Sequence, residues 1–275
     1  MVEEATVFVP GHVTGFFTVE RHEDPLESGS RGAGLVLSNG VEVTVRRAPE
    51  TTVTLDDDVI EMPPVETVLR NLGATATVDA SADVPLGAGF GVSGAMALGT
   101  ALATNRVFER ELSRNELISI AHGAEVQAGT GLGDVVAQAA GGIPIRLEPG
   151  APGHGLLDAI PAQVRVEYVA FDRLDTGAVI EEDTDVITEA GQRALSNVVA
   201  EPTLASFVFA SRRFAREAGL LTNRMIRTIR DVSDAGGEAS MAMLGETVFA
   251  FGTGLSDAGY DAESCVIDPC GARFV

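Results

Sequence analysis

The sequence contains no lysine and no tryptophan, and only two of its 275 residues are cysteine. All 19 strong bases are therefore arginine, against 40 acidic residues, which leaves a formal net charge of −21. A surface of this sign repels nucleic acids and anionic membranes, so we expect neither as a partner. Without a lysine, the chain also cannot contain a Walker A phosphate-binding loop, whose motif requires one.

The few cysteines and the short apolar runs further limit the class of protein. Cys265 and Cys270 are five residues apart, a spacing that fits no zinc motif, and we assign them no role. No apolar run approaches the roughly 20 residues that cross a bilayer. The opening MVEEATVFVPG carries acids where a signal peptide carries bases, so we expect a soluble, cytoplasmic protein. The acidic composition is typical of a salt-adapted cytosol; an ordinary acidic mesophilic enzyme is the alternative, but it does not explain the missing lysine.

Strand and helix patterns alternate irregularly, which indicates an α+β fold. A strand over 5–9 is predicted to end at Pro10, and Asn39-Gly40 predicts a hairpin within 34–46. Predicted helices cover 63–73, 93–105, 113–129, 203–218 and 222–233, the third beginning with a capping box of Ser113 and Glu116. The proline- and glycine-rich segment 147–161 is interpreted as a connector, so we expect two domains, 1–150 and 151–275.

The stretch PLGAGFGVSGAMALG, residues 85–99, is the strongest candidate for a binding site. Its GFGVSG matches a dinucleotide fingerprint, but no buried strand directly precedes it and no strand ending in an acid follows about 20 residues on. We favour a loop whose N–H groups bind phosphate at the N-terminus of the following helix, with Ser93 beside it. The alternative is that these small residues only permit tight packing.

Two acidic residues follow the loop. Glu125 lies at the edge of the apolar face of the predicted helix 113–129, where a carboxylate is costly unless it is paired or binds a metal. Asp134 follows the flexible turn GTGLG, from which it could enter a cleft. Alternatively, Glu125 reaches water at the rim and Asp134 caps a helix. Together with the loop and Ser93, they form the set that phosphoryl transfer from Mg·ATP requires.

These residues resemble the GHMP kinases. PLGAGFGVSGA is similar to their second motif, P-x-x-x-G-L-G-S-S-A, with Phe90 where leucine is usual and Val92 in place of the first serine. The resemblance implies that Ser93 and Glu125 bind Mg²⁺ and that Asp134 is the catalytic base. It implies nucleotide binding by a set that spans the whole motif: Pro85, Gly87, Ala88, Gly89, Phe90, Gly91, Val92, Ser93 and Gly94.

The resemblance covers nearly the whole chain. It implies an N-terminal α/β domain like domain 2 of ribosomal protein S5, a C-terminal ferredoxin-like α+β domain, and a homodimer. The first motif corresponds to VPGHVTGFF (9–17), and the third, at 234–246, is degenerate. PGHVTGFF, GSRGAGLVL, GTGLGDVVAQ and IDPCGARFV resemble an archaeal subgroup whose members phosphorylate pantoate on the route to coenzyme A.

The resemblance therefore implies an ATP- and Mg²⁺-dependent kinase that acts on pantoate. For the acidic substrate we expect Arg31 as the carboxylate partner, although a surface arginine on a turn fits equally well. His12 is expected to donate to the substrate or to phosphate, or else to support its own loop. A kinase for homoserine, shikimate or mevalonate is one alternative function, and a sensor that binds nucleotide or metabolite without turnover is another.

Overall fold

The computed structural model describes residues 2–172 and 184–275. Within these ranges the chain forms two β-sheets with helices packed against them, which confirms the α+β class. None of the helices in the described ranges is long and apolar enough to cross a membrane.

The first sheet has eight strands in the described part of the chain. They are β1 (Glu4–Phe17), β2 (Gly32–Arg47), β3 (Thr52–Leu55), β4 (Asp58–Val59), β5 (Ala76–Ala82), β6 (Ile143–Glu148), β7 (Leu156–Ile160) and β12 (Arg273–Phe274). Their order is β12-β1-β2-β5-β3-β4, with β6 paired to both β2 and β7. Only β3 and β5 among these pairs run parallel, so the sheet is not the parallel one that a dinucleotide fingerprint needs.

The second sheet has four antiparallel strands, in the order β11-β8-β10-β9. They are β8 (Arg165–Asp172), β9 (Ala239–Ala242), β10 (Glu246–Phe251) and β11 (Glu263–Val266). Strands β7 and β12 lie beyond residue 150 in the chain and yet join the first sheet. The domain boundary at 150 stays a prediction.

The described helices fall into two groups by position in the chain. The first comprises α1 (Pro63–Asn71), α2 (Val92–Val107), α3 (Arg114–Ala128) and α4 (Asp134–Ala140). The second comprises α5 (Thr184–Ala200), α6 (Leu204–Glu217), α7 (Asn223–Asp234) and the single turn α8 (Gly254–Asp257). Helix α5 has no counterpart among the sequence predictions.

Helix α2 lies at the centre of the first group and contacts β1, β2, α1 and α3. It is buried on nearly all sides, and its alanines and glycines let the neighbouring elements approach closely. A Cβ at Gly99, for example, would lie 2.6 Å from the Val43 side chain. The predicted capping box at the start of α3 is confirmed, because Ser113 and Glu116 each bond the other's backbone.

Two predictions about the first strands are wrong. Pro10 does not end β1, and Asn39-Gly40 is not a turn, because β1 and β2 pair along almost their whole length. Pro10 pairs with Gly40 in register, and a register shift follows immediately between Pro10 and Gly11. Ser38 and Asn39 have no partner across this shift, so the extra residues of the bulge lie on β2. A bulge also tolerates a proline, which cannot donate to the ladder. Asn39 instead donates from Nδ2 to the Tyr168 hydroxyl at 3.2 Å.

Candidate active site

The glycine-rich loop lies between β5 and the N-terminus of α2, as predicted. Gly87, Gly89 and Gly91 have φ of 78°, 87° and 65°, in the left-handed region that favours glycine. Gly91 is the residue before the first turn of α2, and no side chain of the described residues caps that turn. Its first N–H groups are therefore available to an anion, and the helix dipole favours negative charge there.

A cleft of about 500 Å³ lies against this loop. Its lining includes the loop from Leu86 to Ser93 except Ala88, the segment 61–63, Gly129 and Thr130, Asp134, and Met243 with Leu244. The last two belong to the predicted third motif (234–246), which packs on the loop: a Cβ at Gly89 would lie 2.7 Å from the Met243 carbonyl oxygen. Just beyond that motif, Thr247 Oγ1 donates to the Ala88 carbonyl at 2.9 Å. The cleft is large enough for a nucleotide phosphate chain and opens at the helix N-terminus.

Ser93 and Glu125 meet at one side of the cleft. The Ser93 hydroxyl donates to Glu125 Oε2 at 3.2 Å, while Glu125 Oε1 is buried with no partner among the described residues. Glu125 is only 2% exposed, so it is not the rim residue of the alternative interpretation. Burial, and secondarily the charge of Asp134, raises the pKa of Glu125 to about 8.

The oxygen atoms of the Ser93–Glu125 pair fit the ligand preference of Mg²⁺. An orphaned carboxylate oxygen beside a hydroxyl is the oxygen donor set that Mg²⁺ prefers, with water and substrate phosphates completing its shell. In the described part of the chain no three His, Cys, Asp or Glu side chains cluster as a metal site. A Mg²⁺ ion shared with nucleotide phosphates needs only one or two protein carboxylates, so the two findings agree.

Asp134 is the first residue of α4, and its carboxylate interacts with the imidazole of His12 and the guanidinium of Arg146. Its Oδ1 is 2.7 Å from Nδ1 of His12, which is completely buried. Burial alone would raise the pKa of Asp134, but the hydrogen bond with His12 and the positive charge of Arg146 outweigh it and lower that pKa. Near neutral pH, Asp134 is therefore ionised and Glu125 is protonated. Two neighbouring carboxyl groups whose pKa values are shifted in opposite directions are typical of an acid–base site.

Arg146, on β6, was not predicted from the sequence. It is 2% exposed; its Nε donates to the Ser30 carbonyl at 3.2 Å, and its Nη1 has no partner among the described residues. Burial lowers its pKa to about 10, which leaves the guanidinium charged near neutral pH. The available signal was an arginine in the otherwise apolar strand IPIRL, where a charge is costly unless it has a function.

Asp134 also lines a second, small cavity of about 20 Å³. Arg146, Ser30, Thr14 and Leu244 are among its lining residues. Asp134 thus borders both cavities: the phosphate loop lines the larger one, and Arg146, whose Nη1 has no partner among the described residues, lines the smaller one.

The other predicted site residues are distributed as follows. The structure brings Ser93, Glu125 and Asp134 together with the loop, although Pro85, Ala88 and Gly94 are not among the cleft-lining residues. Arg31 lies apart from both cavities: its Nε is 2.9 Å from Glu20 and its Nη2 is 3.0 Å from Glu148. An arginine already paired with two carboxylates is poorly placed to accept a third.

Comparison with known proteins places this arrangement in a class. Residues 64–142 match the family model of the GHMP kinases N terminal domain. The chain is 35% identical over 259 residues to a pantoate kinase of Methanospirillum hungatei, which covers 90% of this chain and 87% of that protein. It is 34% identical over 251 residues to a pantoate kinase of Methanocaldococcus jannaschii, with 88% and 91% covered.

A solved structure described as a phosphotransferase related to the CoA biosynthesis pathway superposes with a TM-score of 0.89. It is 30% identical and covers 99% of this chain and 98% of its own. The fold and the site therefore define a phosphotransferase that takes its phosphoryl group from ATP. More particularly, the chain belongs to the GHMP kinase family, and its relatives matched over most of both chains are pantoate kinases.

Proposed function

We propose that this protein transfers the γ-phosphoryl group of ATP to the primary hydroxyl of pantoate and forms 4-phosphopantoate. The relatives named above support the substrate, because they match this chain over nearly all of their length. The observation that carries the proposal is the position of Asp134, which borders both the phosphate-loop cleft and the cavity that holds Arg146. A carboxylate in that position lies between a phosphoryl donor and a carboxylate-bearing acceptor.

In this mechanism the N–H groups of the loop and of the first turn of α2 bind the nucleotide phosphates. The ionised Asp134 accepts the proton of the primary hydroxyl as its oxygen bonds to the γ-phosphorus and the bond to the β-phosphate oxygen of ADP breaks. Ser93 and Glu125 would hold Mg²⁺, which when bound neutralises charge on the phosphate oxygens. Most of the rate then comes from positioning and charge neutralisation.

Arg146 is the proposed partner for the pantoate carboxylate. Its unpaired Nη1 is a buried donor, and a guanidinium binds a carboxylate through two parallel hydrogen bonds. Of the cavities that Arg146 lines, the one it shares with Asp134 has room for about one water molecule. Pantoate bound between these two side chains therefore requires a shift of Leu244 or of the glycine-rich turn 131–133, both of which line that cavity. Leu244 has φ of 67°, in the left-handed region that is strained for leucine.

The proposal is tested by ADP release with ATP, Mg²⁺ and one of four acceptors: pantoate, homoserine, shikimate or mevalonate. We expect turnover with pantoate alone, lost in Asp134→Asn while ATP binding survives. Asp185→Asn, another aspartate in the first turn of a helix, is the matched control and should keep full activity. Ser93→Ala should raise the Mg²⁺ concentration needed for half-maximal rate. Turnover with one of the other acceptors would identify that acceptor as the substrate instead of pantoate. ATP binding without turnover of any acceptor would favour a sensor.

Two further properties belong to the same proposal. The lysine-free, acidic surface supports adaptation to high salt, so the free energy of unfolding should rise between low and molar KCl as repulsion is screened. The homodimer implied by the family resemblance stays a prediction, which sedimentation equilibrium at molar KCl would decide.

A further inference from the structure

His12 touches both halves of the proposed catalytic machinery. Its backbone N–H donates to the carbonyl of Phe90 in the phosphate loop at 2.9 Å, and its ring Nδ1 is 2.7 Å from Asp134 Oδ1. The two contacts come from one residue of β1, so they fix the distance between the loop and the carboxylate. Asp134 itself is 122 positions away in the chain.

The ring of His12 has one engaged nitrogen and one bare nitrogen. An ionised carboxylate only accepts hydrogen bonds, so the proton lies on Nδ1. Burial lowers the pKa of His12 despite the hydrogen bond with Asp134, so the ring is neutral and Nε2 is an unprotonated acceptor. Nε2 has no partner among the described residues.

The space around the His12 imidazole is filled by the protein and is not part of a substrate cavity. Nε2 points at Gly34 on β2, where a Cβ would overlap the imidazole, so glycine at that position is what admits the ring. His12 is completely buried and is not among the residues that line either cavity beside Asp134. A side chain in this position reaches a bound substrate only through Asp134.

We infer that His12 is a positioning residue: its Nδ1–H holds the Asp134 carboxylate in the orientation that points the free oxygen at the acceptor hydroxyl, while its backbone ties that carboxylate to the phosphate loop. This differs from the substrate contact expected from the sequence. The kinetic consequence rests on the proposed phosphoryl transfer, but the tautomer and the hydrogen bond do not.

Three variants separate positioning from substrate contact. In His12→Asn the side-chain amide N–H can occupy the place of Nδ1–H; in His12→Gln it falls near the position of Nε2, and in His12→Ala it is absent. We expect kcat to fall about 100-fold in the alanine and glutamine variants, because a misplaced group costs about that much. KM for ATP and for pantoate should change less than about threefold, and His12→Asn should recover most of kcat. His154→Asn, at a half-exposed surface histidine, is the control.

Nitrogen-15 NMR of the imidazole rings tests the contact without any turnover. We expect the His12 ring in the whole protein to be protonated at Nδ1 and bare at Nε2, and Asp134→Ala to abolish that pattern. A ring protonated at Nε2, or a pattern unchanged in Asp134→Ala, would overturn the inference. So would equal kcat in the asparagine and glutamine variants, or a raised KM for pantoate with unchanged kcat. Absence of turnover in the unaltered protein would refute the proposed function, while the NMR result would still decide the role of His12.

Discussion

Replacing Glu125 with glutamine should stabilise the protein in the absence of metal and nucleotide, and the gain should grow with pH. The pKa of Glu125 is raised from 4.5 to about 8, chiefly by burial. Between these two values the native state holds a proton that the unfolded state has released. Stability therefore falls as pH rises through this window and changes no further above it. Glutamine carries no charge in either state, so it escapes that cost.

The size of the effect follows from the same two values. A difference of one pH unit between native and unfolded pKa values corresponds to about 1.4 kcal/mol. The interval from 4.5 to about 8 thus sets an upper limit of about 5 kcal/mol on the charge penalty. The penalty is under about 1 kcal/mol at pH 5 and about 3 kcal/mol at pH 7, so the advantage of glutamine should grow by about 2 to 3 kcal/mol between them.

The assay is urea unfolding in EDTA, followed by circular dichroism at a fixed KCl concentration, at pH 5, 6, 7 and 8. In thermal unfolding the extra gain at pH 7 corresponds to roughly 5 to 10 °C for a chain of this size. Glu66→Gln is the matched control, because Glu66 is exposed on α1 and should differ from the unaltered protein by less than about 0.5 kcal/mol at every pH. A gap between Glu125→Gln and the unaltered protein that does not change with pH would refute the reasoning, since it would mean that Glu125 is ionised in the native state.

Arg146→Lys should raise KM for pantoate about 10- to 100-fold in steady-state kinetics. The ammonium group keeps the charge but cannot form the two parallel hydrogen bonds of a planar guanidinium with a carboxylate. An unchanged KM would contradict the proposed carboxylate contact. Gly89→Ala should weaken ATP binding by calorimetry, since φ of 87° disfavours alanine and its Cβ would lie 2.7 Å from the Met243 carbonyl oxygen; unchanged affinity would show that the loop has room to adjust. A thiol reagent should label the exposed Cys270 within minutes and Cys265 only after unfolding, because burial raises the pKa of the Cys265 thiol to about 12; two fast thiols would contradict this.

Several parts of the fold could be predicted because their causes are local. The capping box of Ser113 and Glu116 starts α3 through contacts three residues apart. The glycines of the loop predicted a tight, left-handed backbone before α2, and that conformation depends on the absence of a Cβ rather than on distant neighbours. The motif PLGAGFGVSGA, followed by Glu125 and Asp134, likewise sufficed to recognise the family.

Local patterns failed where a partner strand decided the outcome. Asn39-Gly40 favours a hairpin turn in isolation, but opposite Pro10 it lies within a continuous strand, because the pairing of β1 and β2 on both sides outweighs the turn preference of two residues. Helix α5 was missed for a related reason: its apolar face matters only where it packs against α6 and β1.

The sequence by itself determined the composition of the site: a glycine-rich loop, a serine, two acids and no lysine. The tertiary structure alone decided their states. It buries Glu125 so that its carboxyl group holds a proton, and it brings His12 and Arg146 from separate strands to keep Asp134 ionised. A pKa depends on burial and on neighbouring charges within a few ångströms, and those distances exist only after residues far apart in the chain have packed together.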